Sequence, residues 1–162
     1  MYDKEKTRES YLLLLEREML YNKLIDREIF QRISRAKLEG LENLSKQQPT
    51  VIMIIGTVGE VIPSYLGLCM NLDRSSLSRM VDSLEKKEIV KRRIDPEDRR
   101  KVLISLTEKG ERYYQIILGI IEEIHASVIG FLGEQDIERY EACLKTEVNF
   151  LRIIDSRLEA GE

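Results

Sequence analysis

Between Asp73 and Lys101 the chain gathers side chains suited to contact with a polyanion. Arg74, Ser75, Ser76, Ser78 and Arg79 follow one another along a helical signal, and a later loop carries Asp98, Arg99, Arg100 and Lys101. Arginine is the usual partner of guanine O6 and N7 in a DNA major groove. Arg79 stands midway along the polar face of its helix and is the candidate for that contact. The neighbouring serines are small and let a helix sit deep in a groove. Arg74, in the first turn, lies where phosphates would run. In the loop, Asp98 is two residues from Arg100 and can hold its guanidinium in place. Arg100 is then free to project into a minor groove, whose negative potential attracts arginine. Arg99 and Lys101 suit backbone phosphates. Ser64 opens the preceding helix, and free N–H groups at a helix start make it a positioning contact to the DNA backbone.

Other chemistry finds no constellation. With one histidine, His125, no Ser-His-Asp or Cys-His arrangement can be named. No Gly-rich phosphate loop, HExxH or CxxC occurs, and zinc of the usual kinds needs more His and Cys than the chain has. The chain therefore reads as a non-enzyme without catalytic residues, metal or cofactor. His125, on an Ile-rich helix, reads as a core or interface histidine. Cys69 and Cys143 sit in apolar helical patterns and read as buried structural thiols. No polar signature marks a ligand-binding site. The polar start and the lack of any long apolar run give the expectation of a cytoplasmic protein.

Net charge is −3, which alone argues against nucleic acid, but the charge is segregated. Arg74 to Arg112 carries 12 Lys+Arg against 8 Asp+Glu, while the remainder carries 14 against 21. A basic segment on an acidic body is a footprint of local phosphate contact.

The elements that must position these residues follow from periodicity and caps. Leu12, Leu15, Met19, Tyr21, Leu24, Ile25, Ile29 and Ile33 recur at helical spacing and predict a long first helix over Tyr11–Leu38. Ser45 with Gln48 forms a capping box for a buried second helix, with Pro49 in its first turn and an end near Gly56 or Gly59. Pro63 opens a short third helix to Met70, in which Gly67 marks close approach of another helix. Asp73 caps a fourth to about Glu88, burying Leu77, Met80, Val81 and Leu84. Val90–Ile94 and Val102–Leu106 read as a hairpin. Thr107 caps a fifth helix. A sixth runs from Asp136 to Leu158 with Ile137, Tyr140, Leu144, Val148, Leu151 and Ile154 on one stripe. The fold class is mainly α with a small β-hairpin wing: a winged helix-turn-helix lobe plus a helical dimerisation lobe. Residues 41–107 form the DNA-binding domain, and 1–40 with 108–162 the dimerisation region.

The stretch from Asn71 to Gly110 resembles the MarR family of bacterial transcription regulators. The resemblance is carried by LDRSS and Arg79, then VDSLEKKEIVKRR, DPEDRR in the wing and LTEKG after it. It implies a homodimer with intertwined terminal helices, one winged lobe per subunit on a palindromic operator. It also implies control by a small anionic or phenolic effector or by thiol oxidation. This chain departs from the pattern at Ile62, where a Ser or Thr cap is usual, and at Gly67 and Cys69. It lacks the N-terminal reactive cysteine of some members and the histidine clusters of metal-sensing ones. The resulting expectation is a homodimeric, DNA-binding regulator, more often repressor than activator, released by a small molecule. The surplus apolar surface of the first, fifth and sixth helices also motivates a dimer. The alternative is a winged-helix protein-interaction module without DNA binding, for which the acidic net charge speaks and the Arg99-Arg100-Lys101 run does not.

Overall fold

The computed structural model describes residues 3–27, 31–32 and 44–161. Helix α1 spans Lys4–Tyr21 and runs on through a wider turn over Asn22–Asp26. It starts earlier than periodicity predicts because Asp3 caps it, its carboxylate accepting the Glu5 N–H at 3.1 Å. Leu12, Leu15, Met19, Tyr21 and Leu24 are all exposed. The side chain of Ile25, with Ile29, Ile33 and the expected end at Leu38, lies outside the described part of the chain.

Helix α2 (Gln48–Val58) begins later than the Ser45 start that the capping box suggests. The reach-back half of that box is present, Gln48 Oε1 accepting the Ser45 N–H at 3.0 Å. Pro49 occupies the first turn, and the helix ends at Gly59, whose φ of +96° suits only glycine. Val51, Ile52 and Ile55 are fully buried, as the apolar run requires.

Helices α3 (Pro63–Met70) and α4 (Arg74–Lys86) are joined by a tight turn. Strands β1 (Val90–Ile94) and β2 (Val102–Leu106) pair antiparallel, Val90 opposite Leu106 and Ile94 opposite Val102. Val61 adds one residue of ladder to β2, exchanging both backbone bonds with Ile104 at 3.0 and 2.8 Å. A single bridging residue leaves no alternation to read, so sequence patterning misses it.

Helix α5 (Glu108–Ile129) starts at Thr107, whose Oγ accepts the Gly110 N–H at 3.1 Å and donates to the Glu88 carbonyl at 2.6 Å. Helix α6 (Glu134–Ala160) begins two residues before the Asp136 start read from the sequence, with Gly133 at the cap position. The chain divides into two compact units, Met1–Ile124 and His125–Glu162. The core lies in the first. Leu66 of α3 and Leu77, Val81 and Leu84 of α4 meet the apolar side chains of α2, the hairpin, and Tyr113 and Ile117 of α5. In the second unit Ile137, Tyr140 and Leu144 are half-buried, whereas Val148, Leu151 and Ile154 of the same stripe are exposed.

Both thiols depart from expectation: Cys69 and Cys143 are exposed. On α3 only Leu66 is fully buried, and α6 has no fully buried residue among those described, so an apolar sequence context does not amount to burial.

Candidate nucleic-acid interface

The site is built from the turn between α3 and α4. Ile62 is extended and makes no side-chain cap, which leaves the start of α3, with exposed Ser64, open. Asn71 takes the left-handed conformation at φ +49°, and the Leu72 N–H returns to the Gly67 carbonyl at 3.0 Å. A Cβ on Gly67 would lie 3.5 Å from the Leu72 carbonyl and 3.7 Å from Leu77. The close approach is thus to the turn and the following helix.

Asp73 then caps α4. One carboxylate oxygen accepts the N–H groups of Ser75 at 2.9 Å and Ser76 at 3.0 Å, and the Ser75 hydroxyl at 2.6 Å. Hydrogen bonds from Ser75, then Ser76, hold this carboxyl well below the usual carboxylate range. The first turn is therefore rigid, with Arg74 and Ser75 exposed on it and Ser78 and Arg79 exposed on the next. Ser76 is half-buried and accepts from Arg79 Nη2 at 3.3 Å, so its hydroxyl orients the arginine.

The wing is closed by local bonds. Asp95 Oδ1 accepts the Glu97 N–H at 2.8 Å, and the Lys101 N–H reaches the Asp98 carbonyl at 2.8 Å. Asp98 Oδ1 accepts from Arg100 twice, from Nε at 3.2 Å and from the backbone at 3.1 Å. The Arg100 hydrogen bond, with the Lys101 charge nearby, lowers the Asp98 carboxyl below its ordinary value. Although it is paired, the Arg100 side chain is 92% exposed. Arg99 and Lys101 are exposed beside it. Every residue that the sequence singled out on α4 and the wing thus lies on unit one, all exposed except the half-buried Ser76 and Asp98.

Three struts went unread. Arg92 of β1 reaches back to α4, donating to Asp82 at 2.6 Å and to Glu85. Arg93, next in the strand and so on the other face, donates to Glu60 at 2.7 Å through Nε. That bond from Arg93 is the main reason the Glu60 carboxyl lies below its ordinary value. Gln48, buried at the start of α2, donates to Ser83 at 3.0 Å and accepts from Lys87 at 2.9 Å. The adjacent arginines of β1, pointing to opposite faces, with Asp82 and Glu85 one turn apart, were the available signal.

His125 is half-buried, and no group of His, Cys, Asp and Glu able to hold a metal occurs among the described residues. No helix among them is long and apolar enough to cross a membrane.

Residues 44–102 match the family model described as MarR family. The chain carries a MarR-family domain. The match covers α2 to the start of β2 and so contains α4, β1 and the wing loop. A relative, the HTH-type transcriptional repressor MdtR of Bacillus subtilis, is 28% identical over 67% of this chain and 72% of its own. Among solved structures, a mutant MarR from E. coli complexed with operator DNA is 23% identical, with a TM-score of 0.62 over 85% of this chain and 94% of that one. Streptococcus pneumoniae FabT in complex with DNA gives a TM-score of 0.63 at 23% identity, over 94% and 99% of the two chains. At those identities the two structures establish the winged-helix fold.

Proposed function

We propose that this protein is a homodimeric transcription regulator of the MarR family that binds duplex DNA, acting as a repressor that a small anionic or phenolic molecule releases. The observation that carries the DNA reading is the joint exposure of Arg74, Ser75, Ser78 and Arg79 on a rigidly capped helix and of Arg99, Arg100 and Lys101 on the wing of the same unit. Helix α4 enters the major groove with Arg79 on base edges and Arg74 near phosphate. Arg100 enters the adjacent minor groove, Arg99 and Lys101 meet backbone phosphates, and Ser64 positions the start of α3 on the backbone. The MdtR relative is a repressor by name, which favours that sign of regulation.

Dimerisation is supported by apolar side chains left in solvent: Leu12, Leu15 and Met19 on α1, and Leu151, Ile154 and Leu158 on α6. Residues 41–107 then serve as the DNA-binding domain, and 1–40 with 108–162 as the dimerisation region. A two-fold dimer places its recognition helices on palindromic half-sites about 34–36 Å apart. The test is a salt series of binding to mixed duplex DNA, followed by selection of the preferred sequence. Affinity falling steeply with salt, and selection of a palindrome, is the expected result. A full-length chain that binds no duplex even at low ionic strength refutes the DNA reading and leaves a protein-interaction module.

A further inference from the structure

We infer that Arg92 is a positioning residue, holding the wing at the pitch to α4 that lets both reach one duplex; this rests on the DNA-binding reading above. Arg92 stands on β1 with its side chain 28% exposed, and its guanidinium is divided between two carboxylates of α4. Nη2 donates to Asp82 at 2.6 Å and Nη1 to Glu85, while the Arg92 backbone N–H also reaches Glu85 at 3.3 Å. A planar fork bonded to two anchors one helical turn apart resists rotation of the strand about the helix, which a single point charge would not. Both Nη groups of Arg92 are thus committed to α4.

The two carboxylates sharpen the inference. Asp82 is three residues from Arg79 on the same helix and is half-exposed. By charge alone, an acid there repels DNA phosphates, and removing it should tighten binding. If Asp82 and Glu85 serve to clamp Arg92, removing them loosens the wing and weakens binding instead. The two accounts differ in sign.

The experiment uses the full chain and its selected duplex, with Arg92→Gln, Asp82→Asn/Glu85→Gln, Arg92→Lys, Arg100→Ala and the double variant Arg92→Gln/Arg100→Ala. Both clamp variants should lose about tenfold in affinity, and Arg92→Lys should recover only part of it. Because Arg92 acts through the wing, the double variant should bind little worse than Arg100→Ala alone. Tighter binding by Asp82→Asn/Glu85→Gln, or losses from Arg92→Gln and Arg100→Ala that simply multiply, would overturn the inference. A readout in the free protein keeps the two claims separate. The Asp95 and Lys101 amides, which close the wing, should exchange hydrogen faster in both clamp variants while the α2 amides stay unchanged. Unaltered wing exchange overturns the clamp whatever the DNA result. A parent that binds no duplex sinks the DNA reading, and the exchange measurement alone then decides the clamp.

Discussion

Gly110→Ala sets two effects against each other within one methyl group. Gly110 lies in the first turn of α5, and alanine there gains up to about 1 kcal/mol of helix propensity. The added Cβ, however, would fall 2.1 Å from the Ile89 carbonyl oxygen and 3.1 Å from Leu106 Cβ. An ordinary carbon–oxygen contact is about 3.3 Å, so helix and carbonyl must separate by roughly 1 Å. The carbonyl is not free to yield, because it accepts the Thr107 N–H at 3.0 Å, and Thr107 Oγ donates to Glu88 at 2.6 Å. Overpacking costs about 1–3 kcal/mol and a strained hydrogen bond about 1 more, which outweighs the propensity gain. The net expectation is destabilisation of about 1–3 kcal/mol, read as a urea midpoint lowered by roughly 1 M with unchanged slope. The same change at Gly119, where nothing lies within 4 Å of the added carbon in the single chain, should be neutral or stabilising. A Gly110→Ala protein as stable as the parent would refute the packing argument.

Glu88 carries a positive φ of +58° at the end of α4, so Glu88→Gly should raise stability by about 0.5–1 kcal/mol in the same urea assay. Asp73→Asn keeps an equally good cap but cannot be protonated. The depressed Asp73 carboxyl stabilises the fold fully above its ordinary value, and that contribution is lost as pH falls through its lower folded value. The asparagine variant should therefore match the parent at pH 7 and show a shallower acid limb in pH-dependent unfolding. Arg79→Ala should cost about 1–3 kcal/mol per half-site and relax sequence preference. Arg100→Ala should weaken binding while altering preference only toward groove width, and Lys101→Ala should flatten the salt slope. If Arg79→Ala and Arg100→Ala both left operator affinity intact, the docking would be wrong. Full-length protein should sediment as a dimer at micromolar concentration and Ile154→Asp as a monomer; a monomeric parent would remove the basis for the dimer.

What the sequence made legible was whatever depends on neighbours in the chain. The Asp73 cap, the hairpin limits, the buried stripe of α4 and the Asp98–Arg100 pair all arise within a few residues of each other. What escaped depends on contacts between distant segments. Val61 joins β2 as a single residue, Arg93 finds Glu60 and Gln48 finds Lys87 across wide sequence gaps. Cys69 and Cys143 misled because helical apolar context fixes a face only when the helix packs on that side. In the sequence the glycine of LTEKG stands only as part of a resemblance. Its physical reason, the Ile89 carbonyl against it, needs the fold.

Gln48 shows how such a distant contact constrains the drift of the chain. One amide oxygen takes the Ser45 N–H and the Lys87 ammonium, and the amide nitrogen serves Ser83. Glutamate there would lose the donor and place a charge in a buried position; leucine would take one hydrogen bond each from Ser45, Ser83 and Lys87. No single substitution satisfies all of them. Positions 48, 83 and 87 are therefore expected to change together among descendants of this chain or not at all, a correlated trio set by one side chain's hydrogen-bonding capacity.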